Sequence, residues 1–177
     1  MSEISPDINT PMFIMSGLGK NACTPGFLTE WVVCRDPDDI LNKEKDQMRR
    51  MAQNFTPQAA LLIKILPKML EAGRRMTVER AKICEENFKI LEAELWDEER
   101  IRLYKTTAGF YATMEVLPGQ SPANNEFEFV YKLLETKSVK LFPGRVLGAC
   151  NFIRISLLVN KEYLEEGIKR IKEFLMS

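Results

Sequence analysis

Two periodicities of apolar and polar residues run along this chain, and the change from one to the other organises it. Met12 to Met15 and Trp31 to Cys34 are short apolar runs rich in strand formers, with the Gly- and Pro-bearing stretch SGLGKNACTPG between them. They predict two strands joined by a loop. Asp36, with Pro37 at the first helical position, predicts the start of a charged helix that reaches about Asn54. Thr56 and Pro57 repeat that signal. After them Ala60, Leu61, Ile65, Met69 and Leu70 share one helical face until Gly73, read as the stop, with a kink expected at Pro67. A third helix is predicted from Thr77 through about Leu95, because Val78, Ala81, Ile83, Cys84, Phe88, Leu91 and Leu95 recur at helical spacing.

Beyond Leu95 the period shortens. Arg100 to Lys105 and Phe110 to Val116 read as strands, and Pro118 to Asn124 as a loop. Phe127, Val130, Tyr131 and Leu134 then mark a helix capped by Asn124 or Asn125. Val139 to Phe142 predicts a short strand ending at the Pro143-Gly144 turn, and Asn151 to Val159 is the best strand pattern in the chain. Asn160 is expected to cap a last amphipathic helix carrying Leu164, Ile168, Ile171 and Leu175. The expected fold class is therefore α/β of the α+β kind, with helices packed on a small, mainly antiparallel sheet. No internal repeat or low-complexity segment interrupts this order, and Met1 to Pro11 is expected to be a flexible tail.

Composition acts mainly by exclusion. With 177 residues, 45% apolar and 28% charged, the chain is long enough to bury a core. Its 25 basic and 25 acidic side chains cancel, so no overall field draws in nucleic acid or an anionic membrane, and neither is an expected partner. The opening MSEISPDINTP lacks the basic and apolar regions of a secretory signal. No stretch approaches the roughly 18 uninterrupted apolar residues of a membrane span, so a cytoplasmic location is expected. Cys23, Cys34, Cys84 and Cys150 show no CxxC spacing and are read as reduced thiols. With no histidine in the chain, a structural zinc would need all four thiolates, and no metal site is expected. The same absence excludes Ser-His and Cys-His nucleophile pairs. Catalysis must come from Lys, Arg, Tyr, Asp, Glu or a cofactor.

Several local motifs occur in a telling order. SGLGKNACTPGF sets Lys20 shortly before Pro25, Gly26 and an aromatic; AGFYATMEV follows; then VKLFPGRVLGACNFIRISLLV holds Asn151-Phe152-Ile153-Arg154, and EYLEEGIKRIKEFL closes the chain. From about Phe13 to the C-terminus the sequence resembles the fold-type I (class I and II) pyridoxal-phosphate-dependent aminotransferases, most closely the tyrosine aminotransferases. The resemblance implies that residues 1–76 are a remnant of the cofactor domain, with the lysine loop, a strand pair and interdomain helices. It makes residues 77–177 the small, C-terminal domain. The lysine matched by Lys20 forms a Schiff base with the aldehyde of pyridoxal 5′-phosphate and carries the proton during transfer. That chemistry requires an accessible neutral amine. The competing reading of Lys20 is a solvated loop lysine.

Arg154 matches the arginine that holds the α-carboxylate of the amino-acid substrate, a task suited to a planar bidentate guanidinium. Strand alternation puts it on the face opposite Ile153 and Ile155. The competing reading is an edge arginine in water or paired to a local carboxylate. The reaction implied is transfer of an amino group from an aromatic or similar amino acid to a 2-oxo acid.

Three departures weaken the match at the cofactor. Leu28 stands where the family places a phosphate-binding arginine, and Glu30 replaces the following glycine. Gly17 occupies the position of a frequent hydroxyl, leaving the adjacent Ser16 as the substitute cofactor contact. The phosphate donors, ring-stacking aromatic and pyridine-binding aspartate of complete relatives have no counterpart here. The chain by itself is expected to be inactive or incomplete. The alternative is a non-catalytic interaction or oligomerisation module that keeps the small-domain fold. Orphaned strands around Phe13 and Trp31 would expose edges and apolar faces. The expected partner is therefore a second copy in a homodimer, swapped or not, contacting through the Phe13 to Gly73 region, or a separate chain that supplies the large domain.

Overall fold

The computed structural model describes residues 10–21, 30–54 and 60–177. The chain divides into two compact units, Met1–Val78 and Glu79–Ser177.

In the first unit, β1 (Met12–Gly17) pairs antiparallel with β2 (Glu30–Arg35), from Met12 opposite Arg35 to Gly17 opposite Glu30. This is the expected strand pair, but the connection opens with a single helical turn, α1 (Leu18–Asn21). Met15, Val32 and Val33 remain exposed on the pair, while Leu18 is buried. The flexible tail expected up to Pro11 lies, for residues 1–9, outside the described residues, as does the cap signal at Thr56 and Pro57.

The charged helix α2 runs Asn42–Ala52 and so starts later than Asp36 predicts. The Asp36 carboxylate accepts the backbone N–H groups of Ile40 and Leu41, both at 3.0 Å, and pairs with Lys45 at 2.8 Å. It thus organises a turn, with Asp39 in the left-handed region at φ 56°, instead of capping the helix.

The stop expected at Gly73 and the start at Thr77 are also overturned. α3 is one helix of 36 residues, Ala60–Leu95, passing through both Pro67 and Gly73. A lone helical glycine costs only about 1 kcal/mol, and no proline follows Gly73 to enforce a stop. Gly73 is buried, and the Thr77 hydroxyl donates back to its carbonyl at 2.8 Å, which keeps Thr77 inside the helix.

The second unit follows the expected α+β order. Strands β3 (Ile101–Tyr104), β4 (Tyr111–Val116), β5 (Phe142–Pro143) and β6 (Phe152–Ser156) form one sheet in the order β3-β4-β6-β5, antiparallel throughout. Ile101, Leu103, Ala112, Met114, Val116, Ile153 and Ile155 are buried on one face. They share a core with Phe88, Leu91 and Leu95 of α3, Phe129 and Leu133 of α4 (Glu126–Lys137), and Leu164, Ile168, Ile171 and Phe174 of α5 (Lys161–Leu175). Each fully buried aliphatic or aromatic side chain contributes roughly 1.5–3 kcal/mol.

Caps and ends show where local signals compete. Asn125 caps α4, its Oδ1 accepting from the N–H groups of Phe127 and Glu128, while Glu128 reaches back to the Asn124 N–H at 2.9 Å. Asn160 occupies the N-cap of α5 in extended conformation, but its side chain makes no cap hydrogen bond, contrary to expectation. β5 is displaced from Val139–Phe142 onto Phe142–Pro143, and β6 ends at Ser156 instead of Val159. Buried Asn87 on α3 explains the early end: its Nδ2 donates to the carbonyls of Leu157 at 2.7 Å and Val159 at 2.9 Å, taking acceptors that a longer ladder would use. Among the described residues, no helix is long and apolar enough to cross a membrane.

Candidate functional site

The sequence-derived site residues fall in different units, so each set is described on its own. Ser16 ends β1 beside Gly17, and Lys20 is exposed on the single turn α1. Ser16, Gly17, Gly19, Lys20, Glu30 and Trp31 line one open hollow of about 490 Å³. The antiparallel register explains the grouping, because Ser16 faces Trp31 and Gly17 faces Glu30 across the pair. Pro25, Gly26 and Leu28 lie outside the described residues.

Arg154 sits on β6 with Thr113 of β4 as its neighbour on one side and Phe142 of β5 on the other. Alternation holds as read: Ile153 and Ile155 are buried, and Arg154 projects from the opposite face. Its guanidinium carbon lies 4.3 Å from the ring centroid of Tyr111 and 4.3 Å from that of Phe142. Tyr111 is two residues along β4 from Thr113, so it approaches diagonally, while Phe142 comes from the directly paired position. Two aromatic faces favour the cation and restrict its rotamers without occupying its N–H edge. Among the described residues no carboxylate pairs with Arg154.

The turn between β5 and β6 delivers that arginine. Gly144 opens a 3-10 turn, Gly144–Leu147, where an added Cβ would lie 2.4 Å from the Ala149 carbonyl oxygen and 2.6 Å from that of Phe152. Only glycine fits so close an approach. Glu126, the first residue of α4 and fully buried, closes the turn from beneath: its carboxylate accepts the Asn151 N–H at 2.9 Å and Arg145 Nε at 3.1 Å. Burial pushes the Glu126 carboxyl up, but the Asn151 and Glu126 backbone N–H groups and the Arg145 charge outweigh it and hold it below its ordinary value.

Sequence reasoning picked out Lys20, Ser16 and Arg154 and missed the residues that hold Arg154. Tyr111 stood within the AGFYATMEV stretch and Phe142 just before Pro143-Gly144, yet their rings meet the guanidinium only through the β4-β6-β5 register. Glu126 carried no signal beyond being an acid in a first helical turn, where acids are ordinary.

The sequence pattern of the family described as aminotransferase class I and II matches residues 1–171. This chain belongs to that family. It is 26% identical over 171 residues to a probable aminotransferase of Arabidopsis thaliana, covering 93% of this chain and 38% of that protein. Against the tyrosine aminotransferase of Dictyostelium discoideum it is 27% identical over 171 residues, covering 93% and 41%. Among solved structures, tyrosine aminotransferase from Leishmania infantum superposes with a TM-score of 0.84 at 23% identity, over 96% of this chain and 42% of that one. Alanine aminotransferase from Pyrococcus furiosus gives 0.77 at 22% identity, over 95% and 43%. The structural likeness shows the fold, a helix-on-sheet arrangement of the fold-type I aminotransferases. The chain spans about two-fifths of the length of the curated relatives it matches.

Family membership implies pyridoxal phosphate, and the donor set at the Lys20 hollow fits that group only in part. An exposed primary amine suits the aldehyde end. At the other end the described lining offers the Ser16 hydroxyl and the Glu30 carboxylate, and no cation besides Lys20 itself. A phosphate dianion gains from cationic or N–H donors and is repelled by a carboxylate. The described residues of this aminotransferase-family chain therefore do not make a complete cofactor site.

Proposed function

We propose that this chain is a tyrosine aminotransferase-like protein that carries two separate parts of a transaminase site and is inactive or incomplete by itself. In this reading residues 1–76 correspond to the end of a cofactor domain with interdomain helices, and residues 77–177 to the small domain. Lys20 is the catalytic amine for pyridoxal phosphate, Ser16 is an accessory cofactor contact, and Arg154 receives the α-carboxylate of an amino acid or 2-oxo acid. The observation that carries the reading is the Arg154 guanidinium, held between the Tyr111 and Phe142 rings at 4.3 Å each and without a carboxylate partner among the described residues. A half-buried arginine oriented in this way and left unneutralised suits an incoming carboxylate.

The test is a titration of the purified chain with pyridoxal phosphate, followed by yellow absorbance and by transamination of tyrosine with 2-oxoglutarate. Weak, sub-stoichiometric colour that falls in Lys20→Ala, with no turnover, is the expected result. Turnover at ordinary enzyme rates would overturn the claim of incompleteness. Complete absence of Lys20-dependent colour would favour the second reading, a non-catalytic oligomerisation module, which the Glu30 carboxylate at the hollow supports.

The same reading assigns a partner. The β1-β2 pair leaves Met15, Val32 and Val33 exposed, an apolar load on a sheet of only two strands among the described residues. A homodimer, swapped or not, or a separate chain supplying the large domain would cover them. Sedimentation at micromolar concentration is expected to give a dimer, and a clean 20.4 kDa monomer would defeat the homodimer assignment.

A further inference from the structure

The sheet face that carries Arg154 holds a second charge arrangement. Across three strands two rows are in register: Tyr104, Thr113 and Arg154 in one, and Arg102, Glu115 and Phe152 in the next. Glu115 on the central strand β4 is therefore a diagonal neighbour of both Tyr104 on β3 and Arg154 on β6. Diagonal positions of this kind are within reach of long side chains. Nothing in the register by itself keeps a carboxylate so placed from crossing the diagonal to Arg154, although Arg102 is its directly paired neighbour on β3.

Glu115 instead turns toward β3. The Tyr104 hydroxyl donates to Glu115 Oε2 at 2.7 Å, and Arg102 Nη1 contacts the same oxygen at 3.3 Å. The Tyr104 and Phe152 rings meet with centroids 5.5 Å apart. One oxygen of Glu115 is thus held from the β3 side by a hydroxyl whose ring is itself fixed against β6.

We propose that Tyr104 and Arg102 are positioning residues that withhold Glu115 from Arg154 and so keep the guanidinium available to an external carboxylate. This rests on the reading of Arg154 as a carboxylate receptor. The role is electrostatic gating by a bystander: Glu115 does not touch the incoming carboxylate, but once released it competes with it for the same N–H edge. Tyr104→Phe keeps the ring contact with Phe152 and removes only the hydroxyl, and Arg102 is well exposed, so a variant carrying Tyr104→Phe and Arg102→Gln leaves the core untouched.

The experiment is NMR on the full chain, reading the Arg154 Nε–H signal, assigned by its loss in Arg154→Lys. In the variant with Tyr104→Phe and Arg102→Gln, that signal is expected to move, and its exchange with water to slow several-fold, as Glu115 closes onto the guanidinium. Adding Glu115→Gln is expected to restore the original signal. Titration with 2-oxoglutarate is expected to show affinity falling about three- to fivefold on release of Glu115 and recovering in the triple variant, the scale of a partly exposed ion pair. An Arg154 signal that does not change, or that changes equally with Glu115→Gln present, overturns the proposal. If 2-oxoglutarate leaves the Arg154 signal of the unmodified chain unmoved, the carboxylate-receptor reading falls, while the comparison among variants still decides where Glu115 goes.

Discussion

Phe129→Ala is expected to lower the stability of the second unit by about 3–5 kcal/mol, the range for removing a large aromatic from a closed core. Phe129 is fully buried on α4, where its ring meets that of Phe174 edge-on, at 5.0 Å between centroids and 87° between planes. That pair adds roughly 0.5–1.5 kcal/mol beyond the area buried. Urea unfolding of the full chain, followed by Trp96 fluorescence in a Trp31→Phe background, reads this unit. A loss below about 1 kcal/mol would show that α4 does not lie over the sheet as described.

Glu126→Ala is expected to cost about 2–4 kcal/mol at neutral pH. It strands the half-buried Asn151 N–H, a loss of about 1–3 kcal/mol, and releases Arg145, which adds less because it is largely exposed. Its pH dependence follows from the lowered carboxyl. A group whose folded-state value lies below its unfolded value stabilises fully above the latter and loses that contribution as pH falls through the former. The difference between the unmodified chain and Glu126→Ala should therefore be largest at neutral pH and shrink below the ordinary glutamate value of 4.5. A difference constant down to pH 3 would mean that the carboxylate is not what secures the turn.

Both effects concern residues whose roles depend on tertiary contacts, and that dependence marks how far the sequence could be read. Alternation gave β3, β4 and the buried face of β6 correctly, since one face of each strand meets a core and the other does not. That Asn124 or Asn125 caps α4 was legible because a cap is satisfied within a few residues of itself, and the structure decides for Asn125. Gly73 and Asp36 misled because each signal is shared by alternatives close in energy: a glycine is tolerated inside a long helix, and an aspartate serves a turn as well as a cap. β6 ends early because Asn87, distant in sequence, removes two of its acceptors.

The site divides in the same way. The outward placement of Arg154 follows from strand period alone, whereas Lys20 and Ser16 are proposed from motif order. Tyr111 and Phe142 flank the guanidinium only because β4 and β5 pair with β6 in one particular register, and nothing local in either stretch specifies that register. Glu126 binds a backbone N–H across a turn closed by the tight approach at Gly144, a contact that residue type does not announce.

The two-residue strand β5 has a consequence of another sort. It is an outer strand of the sheet, and its second residue is Pro143, which has no N–H to offer to a further strand. An edge so short and lacking that donor is a poor template for strand addition by other chains, a common route by which small sheets nucleate fibrils. Pro143 thus has two effects with one ring: it leads the chain into the turn that presents Arg154, and it leaves that side of the sheet short of a donor for strand addition.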